Sequence, residues 1–160
     1  MKKMLLIIDV QKGFINEKTK HIPSLVEQLQ YEYEYVYVTK FLNSEHSLYR
    51  ELIHWNRFSP ESEETQLAFS VKNNAIIKDK YIYTCVDDDF LEFIKNNGID
   101  QVDICGIDTD ICVTKCAVDL FEKGIKPCVL SSYCATHAAA DVQEASLIIL
   151  KRFIGRDQVI

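Results

Sequence analysis

"GIDTDICVTKC", Gly106 to Cys116, joins an apolar run to a patterned segment, and its reading decides the fold. Before it stands Val102–Cys105, short, apolar and bounded like a buried strand. After it, Val113, Cys116, Ala117, Leu120, Phe121 and Gly124 recur at i, i+3, i+4, i+7, i+8 and i+11. That spacing is the buried stripe of an amphipathic helix. The stretch is therefore a strand-to-helix junction, with Asp110 or Thr109 as the expected N-cap and Cys112 in the first turn.

The same alternation recurs on both sides of the junction. Apolar runs rich in β-branched residues predict strands at Met4–Asp9, Tyr35–Thr39, Ala75–Lys78 and Pro127–Leu130, with a sixth strand possible near Val159. Helices are expected from Pro23, where Leu25, Val26 and Leu29 share a face, and over "DDDFLEFIKNNG" from Asp87, which opens on three aspartates and closes on Gly98. A last helix is expected over Ala138–Phe153, with Val142, Ala145, Ile149 and Phe153 inward. Phe41–Ser70 holds the only tryptophan and is read as a short helix near Leu48–Trp55 plus a variable lid. Strands alternating with helices over 160 residues predict a single α/β domain, residues 1–160. It is a three-layer Rossmann-like parallel sheet of five to six strands with helices on both faces.

Composition removes several function classes. The formal charge is −6 with no cluster of Lys and Arg, which speaks against nucleic-acid or anionic-membrane partners. No stretch reaches the roughly 20 apolar residues of a membrane span. The opening "MKKMLLIIDV" has a short apolar run that ends in Asp9 without a small-residue cleavage site, so a cytoplasmic protein is expected. Its six cysteines lie mostly in apolar segments and are expected to be reduced. A small-molecule partner remains.

In an open parallel sheet, ligands bind outside the carboxyl ends of the strands. Asp9 ends the first expected strand, Lys80 lies two residues beyond the third, and Cys112 opens the helix after the fourth. A helix N-terminus and a nearby cation both stabilise a thiolate, so Cys112 is expected to have a lowered pKa. Each residue also has an ordinary explanation: Cys112 as core packing, Asp9 as a loop cap, Lys80 as a solvated lysine with Lys78 as a rival.

Taken together, these segments are more specific. "LLIIDVQKGF" (Leu5–Phe14), "KYIYTC" from Lys80 and "GIDTDICVTKCAVDLFEKG" (Gly106–Gly124) resemble, in order and spacing, the isochorismatase-like cysteine hydrolase superfamily, which includes nicotinamidases and N-carbamoyl amidases. The resemblance covers essentially the whole chain. It implies an Asp9–Lys80–Cys112 triad, an oxyanion hole from the backbone N–H groups of Asp108 and Cys112, and a cis peptide at Ile107–Asp108. It also places Gln11 and Phe14 on the pocket floor. Phe41 and Trp55 are candidates for its walls, with ordinary loop packing an equal alternative for Trp55.

Departures from the pattern sharpen the expectation. Nicotinamidases carry a metal-binding Asp-x-His after the second strand, whereas "VTKFLNSEH" puts Phe41 and Asn43 at those positions, so no metal and no other cofactor is expected. His46 and His54 are read as surface or lid residues. An aspartate usual after the fifth strand appears as Ser132. The reading is a metal-independent cysteine amidase acting on a small amide or carbamoyl compound, and the family's habit implies a homo-oligomer. A thiol-redox protein using Cys112 with Cys116, and a catalytically silent binding scaffold, are the alternatives.

Overall fold

In the computed structural model, which describes residues 1–160, the core is a five-stranded parallel sheet. Its strands are β1 (Lys3–Ile8), β2 (Tyr35–Phe41), β3 (Ile76–Lys80), β4 (Gln101–Ile107) and β5 (Lys126–Ala135), in the order β3-β2-β1-β4-β5. Every residue of β4 and all but the first of β1 are buried, which a strand achieves only when both faces of the sheet are covered. The covering helices are α1 (Ile22–Leu29), α3 (Asp88–Asn97), α4 (Thr114–Glu122) and α5 (Ala140–Ile154); α2 (Leu48–Glu51) is a single turn with no buried residue. Val159 makes only an isolated parallel bridge to Val129, so the sixth strand is not formed.

Local sequence explains most boundaries. Pro23 sits in the first turn of α1, where its missing N–H is not needed. Asp87 caps α3 by accepting from the Phe90 N–H, and Gly98 closes it in the left-handed conformation. A tight 3-10 turn over Gln30–Glu32 finishes the first helix, and β2 begins at Tyr35, where the strand was expected. β4 and β5 run longer than their apolar runs, with a shift in register between Ile104 and Gly106. At Gly106 the backbone has φ 124° and an added Cβ would lie 2.1 Å from Ile8 O, so only glycine allows β1 and β4 to approach there.

Three details correct the sequence reading. Neither Thr109 nor Asp110 caps α4; the chain makes one wide π-helical turn over Thr109–Val113 first, and α4 proper starts at Thr114. Phe121, assigned to the buried stripe, is exposed. In α5 the inward residues are Ser146, Leu150 and Ile154, while Ala145, Ile149 and Phe153 face outward. The stripe is rotated by one residue, and buried Ser146 is tolerated there because its hydroxyl donates to Val142 O.

The strand order reverses at β1, whose neighbours β2 and β4 belong to the two halves of the sheet. Such a switch point leaves a crevice at the carboxyl ends of the central strands. Asp9 leaves β1 there, Lys80 ends β3 and the π turn leaves β4.

Candidate active site

Asp9 follows β1 with φ 48°, a left-handed conformation that aspartate tolerates better than most side chains. Its N–H donates to Thr39 Oγ1 at 3.2 Å, and the Thr39 hydroxyl donates back to Asp9 Oδ1 at 2.7 Å. This reciprocal pair fixes the carboxylate without a charge. The other oxygen, Oδ2, lies 2.7 Å from Lys80 Nζ, and both side chains are buried, at 0% and 4% exposure. The contact is a buried ion pair, and Lys80 also donates to Ile82 O at 3.1 Å and to Cys112 Sγ at 3.5 Å. Lys80 is the last residue of β3, not two residues beyond it. Lys78, its rival, pairs with Asp87 and Asp89 at the surface.

The electrostatics differ from the sequence expectation. Burial pushes the Cys112 thiol well above its usual range; Lys80 pulls it back only in part, and Asp9 adds to the upward shift. The cation that was to lower it is already matched by a carboxylate 2.7 Å away, so the sulfur faces a nearly neutral pair. Burial likewise disfavours the charged form of Lys80, but Asp9 and then the thiols outweigh it and hold the ammonium protonated. Burial thus favours the thiol form of Cys112, and the contact with Asp9 favours the ammonium form of Lys80.

Beside Cys112 is a cavity whose empty space, mouth included, is about 500 Å³. Phe14, Phe41, Tyr49, Trp55 and Tyr83 supply aromatic surface, and Ile53 and Ile111 complete the apolar lining. Phe14 stacks on Phe58 at 4.1 Å and Trp55 on Phe58 at 6.1 Å, so Trp55 is at once loop packing and cavity wall. Tyr49 meets Phe41 and Tyr83 edge to face, and burial raises the pKa of both tyrosines, keeping their hydroxyls neutral.

Gln11 is a correction: its side chain lies outside the cavity lining. Its amide pairs with both Phe41 N–H and Phe41 O and also donates to Thr65 O, which ties the Asp9 loop to β2 and to the 41–70 segment. That segment is anchored further by backbone hydrogen bonds from Lys12 to Gln66 and from Ala68 to Val10. The expected helix there is a single turn, α2, and ends before Trp55.

The positions where nicotinamidase metal ligands would fall do not suit a metal. Phe41 is a ring of the cavity wall, and buried Asn43 donates its amide to Trp55 O and Arg57 O. His46 and His54 are exposed, and no group of three His, Cys, Asp or Glu side chains is spaced to hold an ion.

The Ile107–Asp108 peptide is cis, and the Asp108 N–H has no acceptor in the protein. Cys116 lies against Cys85, with sulfurs 3.7 Å apart, and all six cysteines are free. This places the partner thiol of the redox alternative elsewhere than at Cys112. Sequence reasoning missed Tyr49, Tyr83 and the pair formed by Asp108 and His137, in which Asp108 Oδ2 is 2.6 Å from His137 Nδ1. His137 follows the end of β5 by two residues, at the strand's carboxyl end where a ligand site was expected.

Comparison with known proteins gives one consistent picture. The family model described as Isochorismatase domain matches residues 3–155. A search of curated protein sequences finds no match. Among solved structures, a cysteine hydrolase from Pseudomonas syringae pv. phaseolicola 1448A is similar with TM-score 0.87 and 19% identity, over 99% of this chain and 87% of that one. A nicotinamidase from Bacillus subtilis has TM-score 0.82 and 20% identity over 100% of both chains. A pyrazinamidase of Pyrococcus horikoshii, solved in complex with zinc, has TM-score 0.84 and 17% identity over 100% and 99%. At these identities the likeness is one of fold.

Proposed function

The chain belongs to the isochorismatase family, and from that premise we propose that it is a metal-independent cysteine hydrolase that cleaves the C–N bond of a small amide or carbamoyl compound. The observation that carries the reading is Asp9 Oδ2, buried 2.7 Å from the Lys80 ammonium, which also reaches Cys112 Sγ at 3.5 Å. A buried carboxylate beside a thiol is placed to act as the general base that takes its proton.

The chemistry follows from the resting charges. A carbonyl compound enters the cavity, and Asp9 Oδ2 takes the Cys112 proton as sulfur attacks the carbonyl carbon. Because the thiol is held above its usual pKa, proton removal and attack belong together rather than to a preformed thiolate. Lys80 Nζ, within 3.5 Å of Sγ and 2.7 Å of Asp9 Oδ2, keeps the summed charge low as the proton moves. The oxyanion is received by the N–H groups of Asp108 and Cys112, the first of which has no competing acceptor. Collapse of the tetrahedral adduct breaks the C–N bond, Asp9 returns its proton to the leaving nitrogen, and a Cys112 thioester remains. Water then attacks the thioester with Asp9 as base, releasing a carboxylic or carbamic acid and restoring the thiol.

Ammonia or amine release from a panel of small amides and carbamoyl compounds tests the reading, with Cys112→Ala and Asp9→Asn as controls. Turnover that both substitutions abolish is expected, with an acyl adduct on Cys112 visible by peptide mass. Turnover that survives Cys112→Ala refutes the thioester route. If no compound is turned over and none acylates Cys112, the binding-scaffold alternative takes its place.

A further inference from the structure

The hydrolase reading uses the backbone of Asp108 but not its side chain, and it does not use His137 at all. Asp108 Oδ1 accepts from the His137 backbone N–H at 2.8 Å and Oδ2 meets Nδ1 at 2.6 Å, so two contacts fix the ring's position and tautomer. With Nδ1–H given to the carboxylate, Nε2 has no partner in the protein, and the residue lines the cavity that holds Cys112. Burial pushes the Asp108 carboxyl up while the His137 contacts hold it down, and those contacts engage both of its oxygens beside the candidate oxyanion hole.

The aromatic walls fall into two groups. Lys80 lies over Phe41, which contacts Tyr49, which in turn contacts Tyr83. His137 instead packs against Phe14 at 5.6 Å and Trp55 at 5.5 Å, and the Arg57 guanidinium lies over Trp55. The charged groups that His137 senses are Asp108 and Asp110, which favour its protonated form, and Arg57, which opposes it. Arg57 is itself paired with Glu64. The Trp55 end of an otherwise apolar cavity thus offers Nε2, an acceptor in the neutral ring and a charged donor once the ring is protonated, the form that the Asp108 contact favours.

We propose that His137, oriented by Asp108, is a specificity-determining residue whose Nε2–H receives an anionic oxygen, in the simplest case a carboxylate, on the part of a flat substrate remote from the bond that is cleaved. The substrate class becomes a small aromatic or planar amide bearing an acid group. Ring faces bind Phe14 and Trp55, and the acid group binds the imidazolium. The inference rests on the cysteine-hydrolase reading, because it assumes that a ligand in this cavity presents its other end to Cys112.

Two thiol-reactive probes of nearly one shape separate the claims: 4-(bromomethyl)benzoate and its neutral methyl ester. Their rates at Cys112 are resolved by peptide mass, each divided by its rate with N-acetylcysteine. In the wild type the acid is expected to label Cys112 about tenfold faster than the ester at pH 6, as fits a hydrogen bond to a charged group, with the preference fading toward pH 9. His137→Leu and His137→Gln are expected to bring the acid-to-ester rate ratio down to about one at every pH, and this ratio, not either rate alone, is the readout. An unchanged preference in both variants overturns the inference, as does equal slowing of both probes, which makes His137 a structural residue. If the wild-type Cys112 outpaces the other five thiols with neither probe, the cysteine-hydrolase reading falls, and this inference with it.

Discussion

Replacing Lys80 by methionine separates the charge of the buried ammonium from its packing. Methionine retains most of the stem against Phe41, so the cavity penalty is small, but Asp9 is left with a carboxylate at zero exposure whose only side-chain donor is Thr39. Ile82 O loses its donor as well. Removing one partner of a buried ion pair costs about 3–5 kcal/mol, and the retained Thr39 contact puts this case near ~3 kcal/mol. With a urea dependence of about 2 kcal/mol per M, the unfolding midpoint should fall by about 1.5 M with unchanged slope. Asp9→Asn removes the other charge, and the double variant Asp9→Asn/Lys80→Met removes both, so the double should cost at least about 2 kcal/mol less than the sum of the singles. Urea melts followed by the fluorescence of Trp55 and by far-ultraviolet circular dichroism give all four corners of the cycle. A single-variant loss below about 1 kcal/mol, or simple additivity, would refute the claim that the two charges depend on each other.

Three further outcomes are expected. Gly106→Ala should prevent the β1–β4 contact, since its Cβ would stand 2.1 Å from Ile8 O, and soluble yield or melting temperature should collapse; a near-native melt contradicts this close approach. Asn43→Ala removes the donors to Trp55 O and Arg57 O, so Trp55 emission should shift to the red and stability fall by about 1–3 kcal/mol; an unmoved spectrum argues against the staple. The Asp108 contact, partly offset by burial, raises the pKa of His137. A raised histidine pKa contributes stability that is present below its unfolded value and lost as pH rises through the folded one. His137→Gln should therefore destabilise the protein more at pH 6 than at pH 9, and equal losses in urea melts at both values contradict the pairing.

The parts of this molecule that were legible in the sequence are those fixed by local chemistry. Uniformly apolar β1 and β4, the Asp87 cap and the Gly98 stop each carry their own reason, and the ordered segments around Asp9, Lys80 and Cys112 fall where the strands end. What was illegible depends on partners far apart in the chain. Gln11 reads as a pocket residue until Phe41 and Thr65 are seen to saturate its amide. Cys112 reads as an activated thiol until Asp9 is seen to match the charge of Lys80. α5 carries apolar residues on more than one side, so counting them cannot fix its phase, and the buried stripe includes a serine that bonds its own helix. His137 acquires meaning only from Asp108, 29 residues earlier.

The central claim is that Cys112 is a buried, protonated nucleophile whose proton goes to Asp9. Alkylation by iodoacetamide, resolved for all six cysteines by peptide mass across pH, tests it directly in the wild type, Asp9→Asn and Lys80→Ala. The account predicts that Cys112, alone of the six in the aromatic cavity and with Asp9 to take its proton as it attacks, reacts at least about tenfold faster than Cys85, Cys105, Cys116, Cys128 and Cys134, and that Asp9→Asn slows it even though it removes a charge that raises the thiol pKa. Labelling of Cys112 at the pace of the other five thiols, unaffected by either substitution, would contradict it.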